Sequence, residues 1–218
     1  MKIYLEKKFI GEENIIKLKQ EFPKIEFFFE LETDYGLDAL IISTHKLQEV
    51  KIDKYPNLSW IQLLMAGFDN VNLLELKEKG ILISNARDVF SITIAEDVFA
   101  KILYFNRNLA KYLEAMETGV WQPIAKEPEI FNSTIGILGT GSIGQEIAKR
   151  MQAFGVKKVI GYKQRQESVP FFDEIFVGEE GLNTLISLSD YLILALPLNE
   201  NTYQLINEKK LALMKESA

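Results

Sequence analysis

The sequence predicts an α/β protein with two doubly wound parallel sheets, one in each half of the chain. Short apolar strands alternate with helical patterns along most of the 218 residues, which is typical of parallel sheets with right-handed crossovers. A glycine-rich turn joins a strand to a helix in the second half, and a long helical pattern separates the halves. The predicted domains are residues 1–91 and 133–218, with a connecting helix and linker at 92–132.

The first domain has the pattern of a buried sheet with helices between its strands. Its predicted strands are 2–5, 25–29, 39–43, 58–64 and 81–84. The second and third strands are apolar enough to be buried. A helix is predicted over 12–22, where Pro23 ends it, and another follows the fourth strand. We expect Asn70 to cap this second helix and Gly80 to end it.

A change of pattern at residue 91 marks the passage between the domains. Thr93 and Glu96 fit a capping box, and apolar residues then recur at helical spacing to about Thr118. This predicts one long helix, followed by a loop at 119–132. In the second domain the predicted strands are 134–138, 158–161, 174–177 and 191–196, and the predicted helices are 142–154, 179–187 and 207–214.

The segment Thr134-Ile-Gly-Ile-Leu-Gly139-Thr-Gly141-Ser-Ile-Gly144 leads from a strand through a Gly-x-Gly-x-x-Gly turn into a helix. Gly139 permits the tight turn, Gly141 lets the backbone approach a pyrophosphate, and Gly144 lets the helix pack closely on the strand. Free amides at the helix N-terminus then face the phosphates. A glycine-rich loop can also arise by chance, but the flanking strands and helix favour a Rossmann-type dinucleotide site.

The residues after the next strand bear on which dinucleotide binds. An acid at that strand end normally accepts from the adenosine 2′-hydroxyl, but here the first acid is Glu167. Lys163 and Arg165 suit a 2′-phosphate instead, and a hydrogen bond to a charged group contributes about 1.5–3 kcal/mol. The alternative is a solvated basic loop. The sequence therefore favours NADP, with NAD as the other possibility.

Two more candidate segments lie at strand ends, where open α/β sheets bind ligands. Met65, Ala66 and Gly67 form a turn, here called the 65–67 turn, whose amides can hold a small carboxylate. The alternative is an ordinary strand-to-helix turn. Leu196 and Pro197 close the strand at which a ribose and nicotinamide would lie, or they simply end it.

Two charged or titratable residues lie outside these segments. For His45 we expect a surface or turn position. Arg87 is expected to be solvated or paired with Asp88, with a ligand role as the lesser alternative.

Composition and motif spacing exclude several classes of function. A net charge of −6 argues against nucleic acid as a partner, since phosphate binding needs a basic face. The absence of cysteine and the single histidine argue against a metal centre. Gln145 follows Gly144 where a P-loop needs lysine, and no histidine follows His45 to serve a serine hydrolase. Neither a signal peptide nor a membrane span is evident, which predicts a cytoplasmic protein.

Four segments together point to one family. They are Trp60-Ile-Gln-Leu-Leu-Met-Ala-Gly-Phe-Asp-Asn, Ile94-Ala-Glu, the glycine-rich segment from Thr134, and Leu194-Ala-Leu-Pro-Leu-Asn-Glu-Asn-Thr202. In this order they resemble the D-isomer-specific 2-hydroxyacid dehydrogenases. The resemblance implies a flavodoxin-like substrate domain, a cofactor domain, and a homodimer built through the helix at 92–118. In lacking an acid directly after the 158–161 strand, the chain resembles the NADPH-preferring glyoxylate and hydroxypyruvate reductases.

The resemblance also implies site residues. The cofactor-binding residues predicted from motif and resemblance are Gly139, Thr140, Gly141, Ser142, Ile143, Gly144, Lys163, Arg165, Leu196, Pro197 and Thr202. Those predicted to bind the substrate carboxylate are Met65, Ala66 and Gly67.

No catalytic residue is predicted within this sequence. In the family an arginine that polarises the 2-oxo acid, and a glutamate-paired histidine that delivers the proton, follow the Pro-Leu segment on later strands. The sequence ends at Ala218, before any such strand, so its nucleotide-binding domain is expected to be truncated and turnover very slow or absent. The alternative is a non-catalytic nucleotide-binding module, such as a sensor, a scaffold or a truncated remnant.

Overall fold

A computed structural model describes residues 1–31, 36–68, 70–121, 123 and 127–218. The chain divides into two compact units, Met1–Val89 and Phe90–Ala218. The segment 92–132, which the sequence predicted to be a connection between domains, thus falls within the second unit. In the described ranges every helix is too short or too polar to cross a bilayer.

The first unit is a five-stranded parallel sheet with strand order β2-β1-β3-β4-β5. Its strands are β1 (Lys2–Leu5), β2 (Glu26–Phe28), β3 (Ala39–Ile42), β4 (Trp60–Leu63) and β5 (Leu82–Ser84), and its helices are α1 (Glu12–Glu21), α2 (Thr44–Gln48) and α3 (Leu73–Glu78). This order is the flavodoxin-like one, so the fold class predicted for this half is confirmed.

The core of the first unit is centred on β3 and β4. Leu40, Ile42, Ile61 and Leu63 are fully buried there, and Leu76 of α3 packs in the same cluster. The expectation that the second strand is buried is wrong. β2 is half-buried or exposed at each residue, because it lies at the sheet edge and has only one neighbouring strand.

The helix after β4 has a different cap from the one expected. Oδ1 of Asn72, not Asn70, accepts from the Glu75 amide at 3.2 Å. α3 begins at Leu73, so only the residue directly before it can reach the first-turn amides. After α3 the chain turns at Gly80, which has a left-handed φ of 68°.

The second unit is a four-stranded parallel sheet with strand order β8-β7-β6-β9. Its strands are β6 (Thr134–Leu138), β7 (Lys158–Tyr162), β8 (Glu174–Phe176) and β9 (Tyr191–Leu194), and its helices are α4 (Ser91–Asn106), α5 (Leu109–Thr118), α6 (Ser142–Ala153), α7 (Gly178–Leu188) and α8 (Glu208–Leu211). The chain leaves β6 towards β7 and β8, then crosses to its other side for β9. This is the first part of the Rossmann strand order, as predicted.

The long helix predicted to reach Thr118 is interrupted. α4 ends at Asn106, Asn108 has a left-handed φ of 48°, and α5 begins at Leu109. Asparagine tolerates this conformation better than most residues, which allows the break at this position. The prediction of a capping box at Thr93 and Glu96 is also wrong, because α4 begins at Ser91 and Thr93 lies inside the helix.

Candidate functional site

The segment of residues 139–144 is here called the 139–144 loop, although its last three residues form the first turn of α6. It lies at the carboxyl end of β6, between the ends of β7 and β9. The Gly139 amide donates to the Tyr162 carbonyl of β7 at 3.0 Å, and the Ala195 amide donates to the Leu138 carbonyl at 2.7 Å. The first bond ties the start of the loop to β7, and the second ties the end of β6 to the segment after β9. The loop lies where the strand order reverses, the position at which open α/β sheets bind ligands.

The three motif glycines have different surroundings. At Gly139 the φ is 101°, and a Cβ atom would lie 2.5 Å from the Ala195 carbonyl oxygen. A Cβ atom on Gly144 would clash with the carbonyl oxygen of Gly139. On Gly141 it would meet no atom within 4 Å. The protein's own packing therefore requires the first and third glycines, whereas the second borders open space that a ligand can occupy.

The N-terminus of α6 offers unused donors beside that space. The amides of Ser142, Ile143 and Gly144 lie in its first turn, where the helix supplies no acceptor, and they bond to no other group in the described chain. Gly141 supplies no side-chain cap, and the first turn has no acid to offset the dipole of this 12-residue helix. This donor set fits a phosphate or diphosphate.

Two side chains that sequence reasoning missed fix this loop. Gln145 Nε2 donates to the Thr140 carbonyl at 3.0 Å, and Ser91 Oγ donates to Ser142 Oγ at 3.0 Å. A serine hydroxyl can accept and donate at once, so Ser142 keeps its proton for an anion. Ser91 lies 51 residues before Ser142, and no local signal in the sequence indicates the pairing.

The segment after β9 brings Leu196 to the glycine loop. A Cβ atom on Gly139 would lie 3.0 Å from the Leu196 amide nitrogen. The Thr202 hydroxyl donates to the Pro197 carbonyl at 2.6 Å and accepts from the Asn199 amide at 2.8 Å. Thr202 is therefore occupied in closing the loop that holds Pro197, which is exposed.

At the end of β7, Lys163 is already paired. Its ammonium forms an ion pair with Glu167, the first acid after the strand. The hydrogen bond from Lys163 holds the pKa of the Glu167 carboxyl below its usual value. Arg165 is exposed and has no hydrogen bond or ion pair among the described residues. The basic residues predicted to meet a 2′-phosphate thus have an internal anion beside them.

In the first unit, the 65–67 turn follows β4. The Ala86 amide donates to the Met65 carbonyl at 3.1 Å, and Asn85 Nδ2 donates to the Ala66 carbonyl at 2.7 Å. Both carbonyls are therefore occupied, whereas the amides of Met65, Ala66 and Gly67 bond to nothing in the described ranges. Unused amides at a strand's carboxyl end suit a small anion. Sequence reasoning missed Asn85, since no motif marks it.

A cavity of about 180 Å³ lies in the same region of the first unit. Leu63, Phe68, Leu73, Ile83, Ser84 and Asn85 line it. Its walls are mostly apolar, and Asn85 belongs to both the cavity and the support of the 65–67 turn. The cavity offers room for a small organic group beside the turn.

The remaining candidates have ordinary surface surroundings. The His45 side chain is 87% exposed and its Nε2 lies 4.0 Å from Glu49. Arg87 Nε lies 3.8 Å from Asp88 Oδ1. In the described part of the chain, no cluster of three or more His, Cys, Asp or Glu side chains could hold a metal ion.

Comparison with known proteins places the chain in a family. A family model, D-isomer specific 2-hydroxyacid dehydrogenase, NAD binding domain, matches residues 99–218. A glyoxylate reductase of Thermococcus litoralis is 31% identical over 224 residues, which cover 94% of this chain and 67% of that protein. A hydroxypyruvate reductase of Thermotoga maritima is 33% identical over 182 residues, which cover 83% of this chain and 58% of that protein.

Solved structures of other proteins have a similar fold. A D-isomer specific 2-hydroxyacid dehydrogenase family protein from Aeromonas salmonicida has a TM-score of 0.85 at 25% identity, with 100% of this chain and 70% of that one covered. An acyclic imino acid reductase in complex with NADPH and D-Arg has a TM-score of 0.79 at 25% identity, with 99% and 71% covered. The chain spans 57% to 67% of the length of the glyoxylate reductases that it matches.

Proposed function

Because this chain belongs to the D-isomer-specific 2-hydroxyacid dehydrogenase family, we propose that the protein interconverts a small 2-oxo acid and its D-2-hydroxy acid with a nicotinamide cofactor. The observation that carries the proposal is the 139–144 loop. It joins unused helix amides to open space at the one motif glycine that the packing of the protein does not require. Glyoxylate and hydroxypyruvate are the proposed substrate class, after the named relatives.

We assign the diphosphate of the cofactor to the N-terminus of α6. The amides of Ser142, Ile143 and Gly144 donate to its oxygens, and the Ser142 hydroxyl adds a further donor. Leu196 and Pro197 line the neighbouring strand end, and Thr202 holds Pro197 in place through its hydrogen bond to the Pro197 carbonyl. When bound, the nicotinamide supplies or accepts the hydride.

The adenosine end of the cofactor is assigned to the residues after β7. Lys163 and Arg165 are the cations available there, which favours NADP, and the acyclic imino acid reductase structure holds NADPH. The matching family model is described as an NAD binding domain. NADP is therefore our proposal, with NAD as the weaker ligand.

The 65–67 turn is proposed to bind the substrate. Its three unbonded amides donate hydrogen bonds to the carboxylate of the 2-oxo acid, and Asn85 keeps them in position by donating to the Ala66 carbonyl. We also propose a homodimer through residues 92–118, because Phe105 of α4 is 74% exposed and Met116 of α5 is 77% exposed. The cytoplasmic location expected from the sequence stays a prediction.

Binding and turnover separate this proposal from its alternative. Calorimetric titration of the purified chain with NADPH and with NADH should show binding of both nicotinamide cofactors. Absence of binding would overturn the proposal. The 218-residue chain should oxidise NADPH with glyoxylate or hydroxypyruvate very slowly or not at all, and a non-catalytic module would stay inactive even as part of a longer polypeptide.

A further inference from the structure

We propose that Glu167 is a specificity-determining residue at the adenosine end of the cofactor, because its carboxylate competes with a 2′-phosphate for Lys163. The proposal deepens the proposed function and rests on it. It predicts that the chain discriminates between NADP and NAD less strongly than Lys163 and Arg165 alone would.

Two hydrogen bonds to β8 position the loop that carries the ion pair. The Lys163 amide donates to the Phe176 carbonyl of β8 at 3.2 Å, and Gln166 Nε2 donates to the Ile175 carbonyl of β8 at 3.0 Å. These two bonds anchor both sides of the loop to the same strand. The anchored loop returns Glu167 to Lys163, so the pairing follows from the course of the chain.

The two partners differ in exposure. The Lys163 side chain is 23% exposed and the Glu167 side chain 58% exposed. Glu167 is therefore not needed to fill the core, and its neutral isostere can be tested without removing packed volume. Lys163 is the more buried partner, and it directly follows β7, at whose end the adenosine is assigned.

The competition acts on only one of the two cofactors. A 2′-phosphate is an anion that gains most from an unpaired ammonium, so it must displace or share Lys163 with the carboxylate of Glu167. A 2′-hydroxyl is uncharged and does not need the Lys163 ammonium, and it can donate to a carboxylate. Glu167 therefore weakens NADPH binding while it leaves NADH binding unchanged or improves it. Arg165 makes no hydrogen bond or ion pair in the described ranges and is attracted to Glu167 only through space, so it is open to the phosphate in either case.

The effect should be modest, because exposed ion pairs are weak. Removal of the competing carboxylate in Glu167→Gln should improve NADPH affinity by about two- to fivefold. Removal of Lys163 itself should weaken NADPH binding by about tenfold or more, since it deletes a hydrogen bond to a charged group.

The test is calorimetric titration of the wild-type chain, Glu167→Gln, Lys163→Met and the double variant with NADPH, NADH and the fragment 2′,5′-ADP. Glu174→Gln is the matched control, because Glu174 pairs with Lys158 at the opposite end of β7 at 3.6 Å. We expect Glu167→Gln to bind NADPH and 2′,5′-ADP more tightly, without a gain for NADH. Glu174→Gln should change none of these affinities.

The outcomes that overturn the proposal differ from the failure of the proposed function. An unchanged ratio of NADPH to NADH affinity in Glu167→Gln, with both bound by the wild-type chain, would overturn only this inference. So would a gain that persists in the Lys163→Met background, because Glu167 would then act through Arg165 or the net charge and not through Lys163. A wild-type chain that binds neither cofactor would overturn the proposed function itself.

Discussion

The backbone of Ala195 lies so close to Gly139 that a Cβ atom on residue 139 would be 2.5 Å from the Ala195 carbonyl oxygen. This contact joins the glycine loop after β6 to the segment after β9. Two residues later, a Cβ atom on Gly141 would meet nothing within 4 Å. One short motif thus contains a glycine needed for folding and a glycine free for ligand approach, and substitution can separate them.

Gly139→Ala should destabilise the second unit. The φ of 101° is strained for alanine, and its methyl group would collide with Ala195 and Leu196. We expect a loss of about 2 kcal/mol or more in the free energy of unfolding, measured by urea denaturation. Wild-type stability in this variant would show that the loop relaxes without cost.

Gly141→Ala should leave the fold unchanged and impair ligand binding. Gly141 is the N-cap of α6 and has extended backbone with φ −72°, so alanine fits. Stability should fall by no more than about 1 kcal/mol, because alanine caps a helix less well than glycine. Its methyl group would enter the space assigned to the diphosphate, and loss of one hydrogen bond to a charged group should raise the Kd for NADPH by about tenfold or more. Gly181→Ala in α7 is the control that should keep wild-type affinity, and equal affinity in both variants would contradict the assignment.

Asn85→Ala should loosen the 65–67 turn. It removes the hydrogen bond from Asn85 Nδ2 to the Ala66 carbonyl, at a stability cost of about 1 kcal/mol. The amides of the turn should then bind glyoxylate more weakly, which amide chemical-shift titration by NMR measures. Asn85→Asp keeps the size but loses the donor, so it should behave like the alanine variant. Full binding in the aspartate variant would show that the donor is not needed.

Asp190→Asn should make the free energy of unfolding less dependent on pH in the acid range. Burial raises the pKa of Asp190, but hydrogen bonds from Lys215 and the Thr134 amide outweigh it and lower the pKa overall. A lowered folded-state pKa gives stability that is present above the unfolded value of about 3.9 and is lost as pH falls through the folded value.

For this reason the variant should be less stable than wild type by about 1 kcal/mol at pH 7, and the gap should close below about pH 4. Urea denaturation at several pH values measures it. Asp97→Asn, which breaks an exposed pair with Lys101 on α4, should cost less than about 0.5 kcal/mol throughout. A gap that widens in acid would contradict the assigned direction of the pKa shift.

Met116→Glu should dissociate the proposed dimer. Leu109, Leu113 and Met116 lie at helical spacing on α5, and all three are exposed. A charge placed among them would oppose burial against a second copy. Light scattering should give a dimer for wild type and a monomer for the variant, while Lys111→Glu on the same helix should stay dimeric. A monomeric wild-type chain would refute this interface.

Local sequence signals predicted the strands and the glycine loop well. β6 and β9 are short apolar runs bounded by turn residues, and the position of Gly139, Gly141 and Gly144 between a strand and a helix could be read directly. The same signals were less accurate at helix ends. The Asn72 cap was assigned to Asn70, and the break at Asn108 was missed, because helical periodicity continues across a single left-handed residue.

The supporting contacts of the candidate site could not be predicted, because they join residues far apart in the sequence. Ser91 meets Ser142, Asn85 meets the Ala66 carbonyl, and neither pair has a spacing that a motif describes. Lys163 and Glu167 are only four residues apart, but their pairing depends on how the loop is anchored to β8.

The sequence by itself determined the α/β class, the order of the strands along the chain and the identity of the glycine loop, because hydrophobic period and glycine spacing are local properties. Tertiary structure alone decided which glycine faces open space and which amides remain unbonded. It also decided that Lys163, after β7, is already paired with the carboxylate of Glu167. These depend on the distances between strand ends, which are fixed only when the parallel sheets assemble.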